Sequence, residues 1–142
     1  MQPSLDEIAS SYWEVHRLMK GDREQRLKAD EFWWAWDAIQ QQVQTGDPDV
    51  VALLLALADT ADGEDELGSL GAGWIEDLFA DHGRVMATDA GQPLLEALAA
   101  ASRQNSRFRV ALGSVYYDED EVPVEVQTKL PGFPKAKGIT DD

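Results

Sequence analysis

The 142-residue chain contains no cysteine, which excludes disulfides and thiol chemistry. A zinc site would have to rely on carboxylates and on the two histidines, His16 and His82. Basic residues are scarce: 12 Lys and Arg stand against 27 Asp and Glu, a net charge of −15. Such a chain repels phosphate backbones and anionic lipids, which argues against nucleic-acid or membrane binding. Long apolar runs are missing as well. The longest aliphatic run, residues 50–58, falls far short of the roughly 20 residues needed to cross a bilayer. The opening M-Q-P-S-L-D-E lacks a basic region followed by an apolar core, so a cytoplasmic, soluble protein is expected.

What is present points to a folded globule. Hydrophobic residues make up 44% of the chain and five are tryptophan, a composition that disordered chains do not have. The length fits one domain that buries roughly two-thirds of its unfolded surface. Ser4 and Glu7 form a capping box, and Leu5, Ile8, Tyr12, Val15 and Met19 follow at helical spacing as one inward stripe. Lys20, Arg23, Arg26 and Lys28 mark an exposed connection. Asp30 reads as the cap of a second helix with Phe32, Trp33, Trp36, Ile39 and Val43 on one face and Trp34 about 100° off it.

Thr45-Gly46-Asp47-Pro48 is a stop followed by a start. The next helix, apolar nearly all round, is expected at the centre of a bundle. Two more helices follow, one carrying Leu94, Leu95, Leu98 and Ala99 inward, the other Phe108, Ala111, Leu112, Val115 and Tyr116. Beyond Tyr117 the pattern changes. Val122-Pro-Val124-Glu-Val126 alternates as a short edge strand would, Leu130-Pro-Gly-Phe-Pro reads as a strap, and K-A-K-G-I-T-D-D as a mobile end. The expected architecture is all-α: a single-domain irregular bundle of about six helices over residues 1–117, with a C-terminal extension, residues 118–142, holding at most one short strand.

Residues 71–83, G-A-G-W-I-E-D-L-F-A-D-H-G, stand out inside a 29–83 stretch that has thirteen Asp or Glu and no Lys or Arg. A phosphate loop is disfavoured, because Glu76 and Asp77 occupy the helix start where an anion would sit. The glycines are better explained by tight chain reversal and close helix packing. Ile75, Leu78, Phe79 and His82 share the inward face, so His82 is expected to be a partly buried histidine bonded to helix carbonyls, with Gly83 as a left-handed cap. Asp81 opposes the helix dipole and stands four residues after Asp77, so it wants a cation. Arg109, or else Arg107, is the expected partner. Helical metal pairs need spacings of three or four, where His82 finds only Leu78 and Phe79. The acidic 59–66 run lacks the alternation of a calcium loop. No metal, cofactor or catalytic residue is assigned.

The segment L-G-S-L-G-A-G-W-I-E-D-L-F-A-D-H-G, with F-R-x-x-L-x-x-V after it, resembles a bacterial family of small helical proteins of unknown function. That family carries an A-G-P-L-E-D-L-L signature, a His-Gly shortly after it and a later Phe-Arg. The resemblance covers about residues 5–117 and implies that Gly73, Glu76, Asp77, His82, Gly83, Phe108 and Arg109 mark a pocket or a structural clasp. The sequence departs from the pattern at Trp74, where the family has Pro.

Three function classes follow. The first is a non-enzymatic acidic binding module with a protein partner, a basic one in its sharpest form: an immunity- or antitoxin-like inhibitor of a basic toxin. Its contact residues would be Trp34 and the acidic turn of Asp62, Glu64, Asp65 and Glu66, although the Trp-rich segment reads first as core and only second as a contact surface. The second is a structural or regulatory subunit of a larger assembly. The third is a small enzyme or metal-binding protein using Glu76, Asp77 and His82.

Overall fold

The computed structural model describes residues 3–118 and 120–134. Helix α1 (Leu5–Leu18) starts as the sequence dictates: the Ser4 hydroxyl accepts from the Glu7 amide at 3.1 Å, and the Glu7 carboxylate accepts from Ser4 in return. A second capping box at Asp22 opens α2 (Arg23–Lys28), which runs into a 3-10 turn (Ala29–Phe32) and then α3 (Trp34–Thr45). Gly46, at φ 65°, ends α3 in the left-handed conformation that favours glycine. The Asp47 carboxylate then accepts from the Asp49 amide, just ahead of α4 (Val50–Thr60).

After Gly63 the chain forms α5 (Glu64–Leu70), a π-helical stretch (Gly71–Ile75) and α6 (Glu76–His82) without a break in the helical path. Two short 3-10 turns lead to α7 (Gln92–Gln104), and α8 (Ser106–Leu112) follows under an Asn105 cap. The last element is α9 (Val124–Lys129). Among the described residues no sheet forms, so the fold is all-α. No described helix is long and apolar enough to cross a membrane.

Helix α4 is central, packed by α1, α3, α7 and α8, because it is apolar on every side. Val50, Val51, Leu53, Leu54, Leu57 and Ala58 are all buried. Trp13 drives the α1–α4 contact: its ring is fully buried and its Nε1–H donates to the Leu57 carbonyl at 2.9 Å. The same core takes in Val122, Val126 and Leu130 from the extension. Phe133 rests on Phe79 and Tyr117, and the Tyr117 hydroxyl donates to the Pro134 carbonyl, which fastens the expected strap. The K-A-K-G-I-T-D-D end lies outside the described residues.

Several local expectations need correction. Residues 124–129 are helical rather than a strand, because Val122, Val126 and Leu130 are the buried set and recur every four residues, with Pro123 fixing the entry. Likewise α2 is a helix, not a connection. On α1 the buried face is Ile8, Ala9, Trp13 and Val15, while Leu5 and Met19 are exposed and Tyr12 is half-buried. On α3 it is Ala35, Ile39 and Val43, with Trp33 exposed, since the 3-10 turn puts Phe32 and Trp33 out of phase with the α-helix. The expected Asp30 cap is absent for the same reason: α3 begins at Trp34, with no side-chain cap. Tyr116 is exposed and Tyr117 takes the buried place, because α8 has already ended.

Candidate functional site

The surplus apolar residues of α1 and α3 have a destination. Each helix carries more aromatic surface than one core face needs, and the excess lines a trough along their seam. Tyr12, Val15, His16 and Met19 from α1, with Lys20 just beyond it, face Trp33 and Trp36 around about 270 Å³. At one end the trough widens between Met19, Leu27 and Trp33, flanked by Arg23, Arg26 and Asp30. At the other it leads into a depression of about 160 Å³ walled by Tyr12, Trp36, Trp74, Gly73 and Asp77. The rings set each other: Trp33 stacks on Trp36 at 5.7 Å, Trp36 meets Trp74 edge-on at 5.2 Å, and Tyr12 meets Trp74 edge-on at 5.8 Å.

The π-helical stretch builds the closed end. Buried residues on this rod recur as 66/67, 70/71, 74/75 and 78/79, a period of four. A regular α-helix turns 100° per residue, so a four-residue period slips by about 40° at each repeat. The wider π turn takes up that slip, and π turns of this kind concentrate at functional sites.

Gly71 and Gly73 then have different reasons to lack a side chain. A Cβ on Gly71 would stand 1.7 Å from the Ala111 carbonyl oxygen of α8, so close packing requires glycine. A Cβ on Gly73 would meet nothing within 4 Å, and its φ is not in the left-handed range. Neither packing nor backbone demands glycine at 73, and its bareness leaves the depression open. The expected chain reversal does not occur, since the rod is continuous through both.

Two polar atoms are unsatisfied, one on a residue of the depression and one on a residue of the trough. The Trp74 Nε1–H and the His16 Nε2 are buried without a hydrogen-bond partner. The Trp74 indole lies near enough to the Tyr12 phenol to favour its anion, without forming a hydrogen bond of proper geometry. Burial outweighs that effect, helped by the Glu66 charge, and raises the Tyr12 phenol. Burial likewise lowers the His16 imidazole, reinforced by Lys20. Asp77 stands at the mouth, its carboxyl raised by partial desolvation and then by Asp81 one turn on.

The sequence-predicted residues disperse. Trp34 is 40% exposed on the first turn of α3 but does not line the trough. Asp62, Glu64 and Asp65 are exposed, whereas Glu66 is buried. Its carboxylate takes Arg17 in a two-pronged bond at 3.0 and 2.9 Å and also accepts from the Asp62 amide at 2.6 Å, which removes it from any partner surface. Burial alone would raise the Glu66 carboxyl, but these bonds and the Arg17 charge hold it below its usual range.

Glu76 accepts from the Tyr116 amide at 2.7 Å. His82 Nε2 lies 3.0 Å from the Val43 carbonyl, so the histidine does serve a helix carbonyl, that of α3. Gly83 is right-handed, not the expected left-handed cap; a Cβ there would press on the Glu121 and Phe79 oxygens at 2.5 Å. Phe108 is core.

The expected clasp does not form. Arg109 donates to the Ser102 and Arg103 carbonyls at the end of α7, and Arg107 to the Ala58 and Ala61 carbonyls. Both guanidiniums serve helix C-terminal oxygens, which reach them first across the α7–α8 and α4–α8 contacts. Among the described residues no cation pairs with Asp81, and none forms a cluster of three potential metal ligands. Of the sequence-derived set, only Gly73 and Asp77 meet in the depression. Tyr12, Trp36 and Trp74 were missed as its lining because helical spacing assigns them to the core or leaves them unassigned.

A family of unknown function, DUF6869, matches residues 22–130, from the cap of α2 to the end of α9. The chain belongs to this family. The match takes in the Gly73–Asp77 turn and runs beyond the 5–117 span of the sequence resemblance into the extension, while α1, with Tyr12 and Arg17, precedes it. No curated protein and no solved structure matches the chain.

Proposed function

We propose that this protein is a non-enzymatic protein-binding module whose partner is basic, with an immunity- or antitoxin-like inhibitor of a basic toxin as the sharpest form and a subunit of a larger assembly as the second reading. The observation that carries it is the aromatic trough. Met19, Leu27 and Trp33 are 46%, 62% and 37% exposed there, on a chain whose net charge is −15. A contiguous apolar strip with polar rims is the usual mark of a binding face, and tryptophan anchors such faces. Lys20, Arg23 and Arg26 stand along the strip, so the attraction that speeds and selects a basic partner comes from the net charge of the chain and from Asp77 at the far end. The acid–base reading has less support, since two of its three groups, His82 and Glu76, are each engaged by a main-chain atom and only Asp77 stands open.

The test is paired capture. Immobilised wild type and a Trp33→Ala/Leu27→Ala variant are exposed to extract of the native host at low salt. The reading expects a protein held by the wild type, released by salt and absent from the variant. A protein held equally by both, or none held by either, overturns it.

A further inference from the structure

We propose that the depression between Tyr12, Trp36, Trp74 and Asp77 receives an arginine side chain from a basic partner segment, its guanidinium lying against the aromatic faces and bonded to the Asp77 carboxylate. The inference rests on the protein-binding reading and gives it a specific contact.

The lining selects the chemistry. The walls are three aromatic rings, with Tyr12 at 64° and Trp36 at 61° to the Trp74 ring. Ring faces attract cations, and a planar guanidinium stacks on them better than an ammonium does. The acidic group is a carboxylate, whose two oxygens match the guanidinium fork. Asp81 stands one turn beyond with no described cation on it, and residues 29–83 supply no Lys or Arg of their own. The opposite end of the trough sets its one lining carboxylate, Asp30, among Arg23 and Arg26, and Lys20 lines the middle, so a carboxylate with no basic neighbour in the lining is found at the Asp77 end.

Two further observations mark the depression as a receiving site rather than a packing defect. Trp74 is 5% exposed, and its indole N–H stands near the Tyr12 phenol without a well-formed hydrogen bond, an arrangement that buried polar groups ordinarily avoid. A guanidinium carries no acceptor, but the peptide carbonyl next to an arginine does, which favours a peptide over a free amine. Gly73 leaves the floor bare at a helical position where no neighbour would oppose a side chain. Desolvation and the Asp81 charge both raise the Asp77 carboxyl, and the attraction of a cation offsets that penalty.

The experiment titrates acetyl-arginine-amide into the full chain, following tryptophan fluorescence and the Trp74 indole N–H resonance. Saturable binding on the order of millimolar is expected, with acetyl-citrulline-amide, equal in shape but neutral, at least about tenfold weaker. Asp77→Asn should weaken arginine by about tenfold, Gly73→Leu should abolish it by filling the space, and Trp34→Ala should leave it unchanged.

Far-UV circular dichroism confirms that each variant is folded; if Gly73→Leu is not, Asp77→Asn decides. Equal binding of citrulline, tighter binding of acetyl-lysine-amide, or wild-type affinity in Asp77→Asn overturns the proposal. The two readings fail separately. A captured partner that Asp77→Asn holds unchanged removes the arginine site and keeps the module. Arginine binding with no captured partner does the reverse.

Discussion

Removing Arg17 should destabilise the protein more than neutralising its partner, and only above acidic pH. Glu66 is 6% exposed, and Arg17→Met strips both guanidinium bonds from it, leaving the Asp62 amide. Breaking a fully buried pair this way costs about 3–5 kcal/mol. Here the Arg17 side chain is 43% exposed, so solvent screens part of the interaction, and the remaining amide bond compensates further. We expect about 2 kcal/mol, a fall in melting temperature of roughly 8 °C for a domain of this size. Glu66→Gln keeps the shape and removes the charge, and should cost about 1 kcal/mol.

The sign with pH follows from the direction of the Glu66 shift. Its folded value lies below the ordinary 4.5, so the contribution is complete above that value and is lost as pH falls through the lowered one. His16, held low by burial, subtracts stability from wild type and variant alike once pH drops below its ordinary 6.5, and largely cancels in the comparison. Thermal melts followed by circular dichroism at neutral pH and near pH 3 make the measurement. An Arg17→Met penalty no larger than that of Glu66→Gln, or one that persists undiminished in acid, would refute the reasoning.

Gly71→Ala should cost about 3 kcal/mol or more, since its Cβ meets the Ala111 carbonyl at 1.7 Å, whereas Gly73→Ala should stabilise by about 0.5–1 kcal/mol. Chemical denaturation of the pair reads the contrast, and equal effects would break the distinction. Trp13→Phe removes the indole donor to the Leu57 carbonyl, which keeps the Ala61 amide, so the lost bond should cost about 1 kcal/mol in the same assay. Val126→Ala should cost about 2 kcal/mol, with the whole fold melting in one transition, because Val126 belongs to the common core; a separate early transition would contradict this.

Helix existence was legible wherever the sequence carries its own punctuation: the Ser4–Glu7 box, the Gly46 stop and the all-round apolar α4 appear as read. Phase was less legible. A stripe such as Leu5, Tyr12 and Met19 satisfies helical spacing, yet Trp13 displaces it from the core by offering more area and a buried hydrogen bond. At Val122–Val126 the same valines fit a period of two or of four, and packing chose four. The site was half visible. Gly73 and Asp77 stand in one motif, but their neighbours Tyr12 and Trp36 come from distant elements, and which apolar residues stay uncovered depends on how three helices meet. Cation partners were least legible, because helix-end carbonyls claimed both arginines that Asp81 was expected to compete for.

The π-helical stretch has a meaning for the tolerance of the chain to length change. A wide turn holds more residues per unit of rotation than the helices on either side, so residues 71–75 act as a store of slack in an otherwise rigid rod. Shortening the rod by one residue there would tighten the turn to ordinary α geometry without separating its ends. The same loss within α5 or α6 would swing Leu67 and Leu70, or Leu78 and Phe79, out of the core. The molecule keeps its spare length at the place where its aromatic depression is formed.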